Sequence, residues 1–110
     1  MKLCYLIIGL FFSSTCLAGE ATGKVIDLRA SNTSNSVIFA MSRPIEEPAS
    51  CNEWQMFGID IETPAGHAVF ELVRLAFLHE LDIEVHGLGT CIAHWRSEDV
   101  KDVAIKKPAT

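Results

Sequence analysis

Basic residues are in short supply, and those present are dispersed. Nine Lys and Arg stand against fourteen Asp and Glu, a formal net charge of −5, and the adjacent basic pair is Lys106-Lys107 close to the C-terminus. A nucleic-acid partner needs clustered cations to neutralise phosphates, so no nucleic acid is expected. Long apolar runs are missing too. Residues 3–12 form the longest one, well short of the roughly 18 to 20 residues that cross a bilayer. The one tyrosine is Tyr5, and the four cysteines include no pair at metal-finger spacing. No serine or cysteine is flanked by a recognisable base and orienting group, which leaves an enzyme without a visible nucleophile. The expectation is a protein that is not an enzyme, with no cofactor and no metal.

The first residues have an order of their own. Lys2 gives a positive start, residues 3–12 an apolar stretch, and Cys16-Leu17-Ala18 a small-residue exit. That order predicts a signal peptide over 1–18, cleaved after Ala18 or Gly19, and a secreted or periplasmic product with no membrane association after cleavage. Residues 19–110 then form a single domain. Loss of Lys2 makes its charge one unit more negative.

A domain this small buries a modest fraction of its surface and benefits from a staple. Cys4 and Cys16 leave with the signal peptide, whereas Cys51 and Cys91 stay. In an oxidising compartment such a pair is expected to close on itself. The loop of about 40 residues would contribute about 3 to 4 kcal/mol in the chain-entropy picture.

The pattern of the remaining sequence gives the elements. Residues 23–30 (GKVIDLRA) alternate, with Ile26, Leu28 and Ala30 expected inward. The stretch 31–36 (SNTSNS) is a loop by composition. Residues 37–41 (VIFAM) are apolar on both faces, as in a central strand or one covered by another subunit. After an irregular connection with Pro44 and Pro48, residues 54–62 alternate as a third strand. Thr63-Pro64 starts a helix, Thr as N-cap and Pro at the first helical position, running to about Glu80. Its apolar face, including Ala68, Leu72, Val73, Ala76 and Phe77, covers more than half its circumference. Residues 81–88 and 100–106 are the last two strands, the former bent by Gly87 and Gly89. The class is mainly β with one helix in the order β-β-β-α-β-β. That is the order of the OB-fold, a five-stranded Greek-key barrel.

The residues Cys51, Trp54, Gly58-Ile59-Asp60, Thr63-Pro64-Ala65-Gly66, Leu72, Ala76, Val85-His86-Gly87, Gly89-Thr90-Cys91, Glu98 and Val100 carry a resemblance. The chain resembles small secreted OB-fold proteins of Gram-negative bacteria, distantly similar to the B subunits of AB5 toxins of the subtilase-cytotoxin and pertussis-like group. The resemblance implies a binding subunit that forms a ring of like chains and takes cell-surface glycan or a partner protein. The alternative is a monomeric periplasmic OB-fold protein that binds a small ligand or cation.

Candidate ligand residues are His94, Trp95 and Arg96, in the connection before the last strand, together with Trp54. Trp and Arg there could stack on a sugar or a base. Asp60, Glu62, Asp82 and Glu84 would hold a cation only if they converged across strands. His67 and Glu71 share a helix face with Arg74 and read as a surface charge ladder. His79 and His86 have no acid-base partner visible in the sequence.

Overall fold

The structure is a computed structural model that describes residues 18–107 and two short paired strands, β1 (Cys4–Tyr5) and β2 (Thr15–Cys16). Of the signal peptide expected over 1–18, β1, β2 and Ala18 are described and the rest lies outside the described residues. Six strands build the main sheet: β3 (Glu20–Gly23), β4 (Val25–Ala30), β5 (Ser36–Met41), β6 (Phe57–Asp60), β7 (Ile83–Gly87) and β8 (Glu98–Ile105). The helix α1 (Pro64–His79) falls between β6 and β7. Helix and strands therefore follow the expected order, with one strand more than the five read from the sequence.

The additional strand arises at a break. β3 and β4 are consecutive, with only Lys24 between them, and Gly23 takes a φ of 132° that side chains disfavour. The two segments turn to different partners, β3 to β7 and β4 to β5. Across the sheet the order is β3-β7-β8-β6-β5-β4, so its two edges are neighbours in the chain and the sheet curls into a half-barrel. β6 and β8 run parallel, and the other pairings in this sheet are antiparallel.

Inside the curl, Phe39 and Phe57 stack with ring centroids 5.6 Å apart, joined by Val25, Met41, Ile45, Ile59, Ile83 and Val85. The helix closes the core against β4, β6 and β8, with Val73 and Ala76 fully buried. The helix starts as the sequence predicts: the Thr63 hydroxyl accepts from Gly66 N at 2.9 Å, and Pro64 follows.

Two expected placements need correction. The first strand turns neither Ile26 nor Ala30 inward. A register shift between Val25 and Asp27 puts Val25 in the core and leaves Ile26 exposed, because one extra residue reverses the alternation. The helix, by contrast, leaves part of its apolar face uncovered, as the width of that face implies. Leu72, Leu75, Phe77 and Leu78 are exposed, because the small sheet covers a single stripe of α1. No helix of the described residues is long and apolar enough to cross a membrane.

Candidate functional site

Two loops meet at one end of the sheet: residues 50–56 ahead of β6 and residues 88–97 between β7 and β8. Cys51 and Cys91 join them in the expected disulfide, with Cα atoms 6.1 Å apart. Backbone bonds reinforce the junction, Trp54 N donating to Arg96 O at 3.0 Å and Glu98 N to Met56 O at 3.0 Å. Within the first loop, the Asn52 side-chain oxygen accepts from Met56 N at 3.1 Å.

The second loop folds around a carboxylate. Asp99, buried on β8, accepts from the Thr90 hydroxyl at 2.6 Å, Ile92 N at 2.9 Å and Ala93 N at 2.8 Å. Bonds from neutral donors to an ionised acceptor are stronger than neutral pairs. Asp99 thus fixes the segment that leads directly into His94-Trp95-Arg96.

The structure brings all four candidate residues together. Trp54 and His94 lie 4.7 Å apart between ring centroids, Trp54 and Trp95 6.4 Å, and His94 and Trp95 6.3 Å. The Arg96 guanidinium sits 3.9 Å from the Trp95 ring centroid and pairs with Glu53 at 3.4 Å. Its cation over the ring face is an attractive contact that also holds the indole in place. Trp95 is 65% exposed and Trp54 42%. His94 Nδ1 accepts from Arg96 N at 3.2 Å. Burial first, and the Arg96 charge second, push the His94 pKa below its ordinary value, so the ring is neutral near pH 7.

Beside this aromatic group is a depression of about 260 Å³, lined by Arg29, Ser31, Ser34, Ser36, Ile38, Trp54 and His94. Sequence reading passed over the serines, taking 31–36 as turn chemistry alone. Their signal was the density of hydroxyls at the tip of a hairpin, which matters only once the fold sets that tip against Trp54. Arg29 at the rim is held by Asp27 through bonds of 2.9 to 3.2 Å, and its donation keeps the Asp27 carboxyl below the usual carboxylate range. The mixture of aromatic faces, hydroxyls and guanidinium can stack on the apolar face of a ring while hydrogen-bonding its rim.

Other candidates do not converge. Asp60 accepts from Glu62 N at 2.9 Å ahead of the helix, Asp82 pairs with Lys24 at 2.8 Å, and Glu84 with Lys106 at 3.3 Å. β8 separates β6 from β7, so Asp60 and Glu84 belong to strands that do not touch as neighbours. Among the described residues, no group of three His, Cys, Asp or Glu is placed to hold a metal ion. Glu71 and Arg74 form an exposed pair at 3.5 Å. His86, read from the sequence as lacking a partner, in fact has one: its Nδ1 lies 2.8 Å from Asp102, across the β7–β8 pairing. Comparison with protein families, with characterised proteins and with solved structures finds no match.

Proposed function

We propose that this chain is an exported, non-enzymatic binding protein that takes a glycan on the surface formed by Trp54, His94, Trp95 and Arg96 and the serine-lined depression beside them. The observation that carries this reading is the gathering of two exposed indoles, an arginine and three serines at one disulfide-tied end of the sheet. Sugars present an apolar face and a hydroxyl rim, and this surface offers a complement to each. The signal peptide over 1–18 and secretion or periplasmic residence belong to the same reading, supported by the disulfide.

The fold supports the site's location. Counted as one bent strand, β3 and β4 make five strands with the helix between the third and fourth, as in the OB-fold. In that fold the loops after the first and fourth strands bind oligosaccharides and oligonucleotides. Here those loops are 31–35 and 88–97, and the acidic charge favours the uncharged ligand of the two.

A second observation favours self-association. Leu72, Leu75 and Leu78 leave much of the outer helix face apolar and exposed, and burial of each remainder would contribute about 1 kcal/mol. A second copy of the chain, in a ring or smaller closed assembly, is the occupant proposed for that face.

The test of the binding reading is retention of the oxidised protein on an array of glycans. Trp95→Ala and Trp54→Ala are each expected to weaken retention at least tenfold, about 1.4 kcal/mol, while the melting temperature stays within about 2 °C. Retention unchanged by both substitutions, or none by the parent protein, would overturn it.

A further inference from the structure

Glu98 opens β8 and is 0% exposed. Three backbone N–H groups converge on its carboxylate: Gly19 N at 2.9 Å and Gly89 N at 3.0 Å on Oε2, and Ala49 N at 3.0 Å on Oε1. Among the described residues no ion pair reaches it. A carboxylate taken out of water is costly, and amide donors offset only part of that cost when no cation is near.

Gly19 is built into the same place. It is buried, its carbonyl accepts from Gly87 N at 2.8 Å, and the next residue continues into β3. A Cβ at this position would stand 2.7 Å from Ile45 Cγ2 and 2.8 Å from Glu98 Oε1, so glycine alone fits without displacement. Gly19 also directly follows Ala18, one of the two exits read for the leader.

We propose that the bond cut on export is Ala18–Gly19, and that the α-ammonium it frees is the cation that neutralises Glu98. Water adds across the amide: its oxygen goes to the Ala18 carbonyl carbon and both its protons end on the Gly19 nitrogen, which leaves a carboxylate on the departing leader and an ammonium on the mature chain. That nitrogen already stands 2.9 Å from Oε2, so the pair forms with no rearrangement. The bond is hydrolysed by a peptidase of the export pathway before the sheet closes over Gly19. A cut one residue later, after Gly19, would delete both the donor and the residue that fits. Processing thereby completes the interior: the same nitrogen is a neutral amide in the precursor and a buried cation in the product. This inference rests on the export half of the function proposed above and is independent of the glycan surface.

The full chain, expressed with its leader in a bacterium that exports it, is recovered and weighed by intact mass spectrometry. A mass beginning at Gly19 is the expected result. A mass beginning at Glu20 or elsewhere overturns this inference while leaving export intact, and an uncleaved chain overturns both. The mature protein is then compared by calorimetry with one retaining Ala18 ahead of Gly19, each with Glu98 and with Glu98→Gln. With Glu98, the form starting at Gly19 is expected to melt at least about 4 to 8 °C higher than the form starting at Ala18. With Glu98→Gln that gap should close. Should Glu98→Gln fail to fold, the two N-termini compared with Glu98 still decide, and equal melting temperatures there would overturn the ion pair.

Discussion

The loop end that carries Trp54 and Trp95 and the outer face of α1 both expose large apolar side chains, yet they are held in different ways. At the loop end a disulfide, the Asp99 carboxylate and the Arg96 guanidinium fix each exposed ring, and serines stand beside them. On the helix, Leu72, Leu75 and Leu78 are exposed beside the Glu71–Arg74 pair, and no disulfide, aromatic stack or cation–ring contact is seen at them among the described residues. Exposure alone therefore does not say what a surface binds. Rigid aromatics in polar company suit a small polar ligand at low entropic cost, whereas a plain aliphatic stripe suits a flat protein partner.

Removing the tie at the loop end should produce the largest change. Replacing both Cys51 and Cys91 with serine is expected to cost about 3 to 4 kcal/mol, lowering the melting temperature by roughly 12 to 30 °C. Calorimetry measures that fall, and a glycan array read below the new transition should show retention lost as the loops separate. A variant that kept its retention would mean that Asp99 and the backbone bonds suffice to hold the rings.

Charging the helix face sharpens the other side of the contrast. Leu75→Glu is expected to reduce the mass seen by light scattering to that of one chain and to leave the melting temperature within about 2 °C, since the side chain is 42% exposed. Ala76→Glu is no substitute for this test. Ala76 is fully buried against the sheet, so a charge there breaks the core of the single chain and says nothing of assembly. A parent protein that is already a monomer would refute the proposed self-association.

Acid should distinguish the two regions most gently. The folded pKa of His94 lies below its unfolded value of 6.5, chiefly through burial. As pH falls the unfolded chain takes the proton first, so the stability contributed by neutral His94 is present above about pH 6.5 and is lost as pH drops towards the folded pKa. The prediction is a small decline in melting temperature below pH 6.5 that His94→Gln removes. A parent and variant with parallel pH profiles would show that His94 is not coupled to folding.

Much of this molecule was legible before any coordinates. Thr63-Pro64 and the apolar period set the helix, residues 37–41 the covered strand, and Cys51 with Cys91 the disulfide. That Trp54 and His94-Trp95-Arg96 belong together was read as a candidate only, and the structure does place the four side chains side by side. What escaped was whatever depends on tertiary contact. Ile26 was turned inward because a strict alternation cannot anticipate the shift between Val25 and Asp27. The hydroxyls of Ser31, Ser34 and Ser36 read as a turn because their neighbour Trp54 is distant in sequence. The burial of Glu98 carried no signal in the sequence, since the N–H groups that make it tolerable come from three other segments.

The acidic step Glu98-Asp99 also helps to set the alignment of the strand it begins. Successive side chains on a strand point to opposite faces, so Glu98 and Asp99 reach separate sets of donors, one gathering Gly19, Ala49 and Gly89, the other Thr90, Ile92 and Ala93. Farther along β8, Val103 and Ile105, two residues apart on one face, pack against the core while remaining partly exposed. A slip by a single residue would put Asp99 in the place of Glu98 and Val100 in that of Asp99, or Ser97 and Glu98 in the opposite direction, and either way leave donors unmatched. Polar complementarity therefore adds to apolar alternation in keeping β8 in frame between its parallel and antiparallel neighbours.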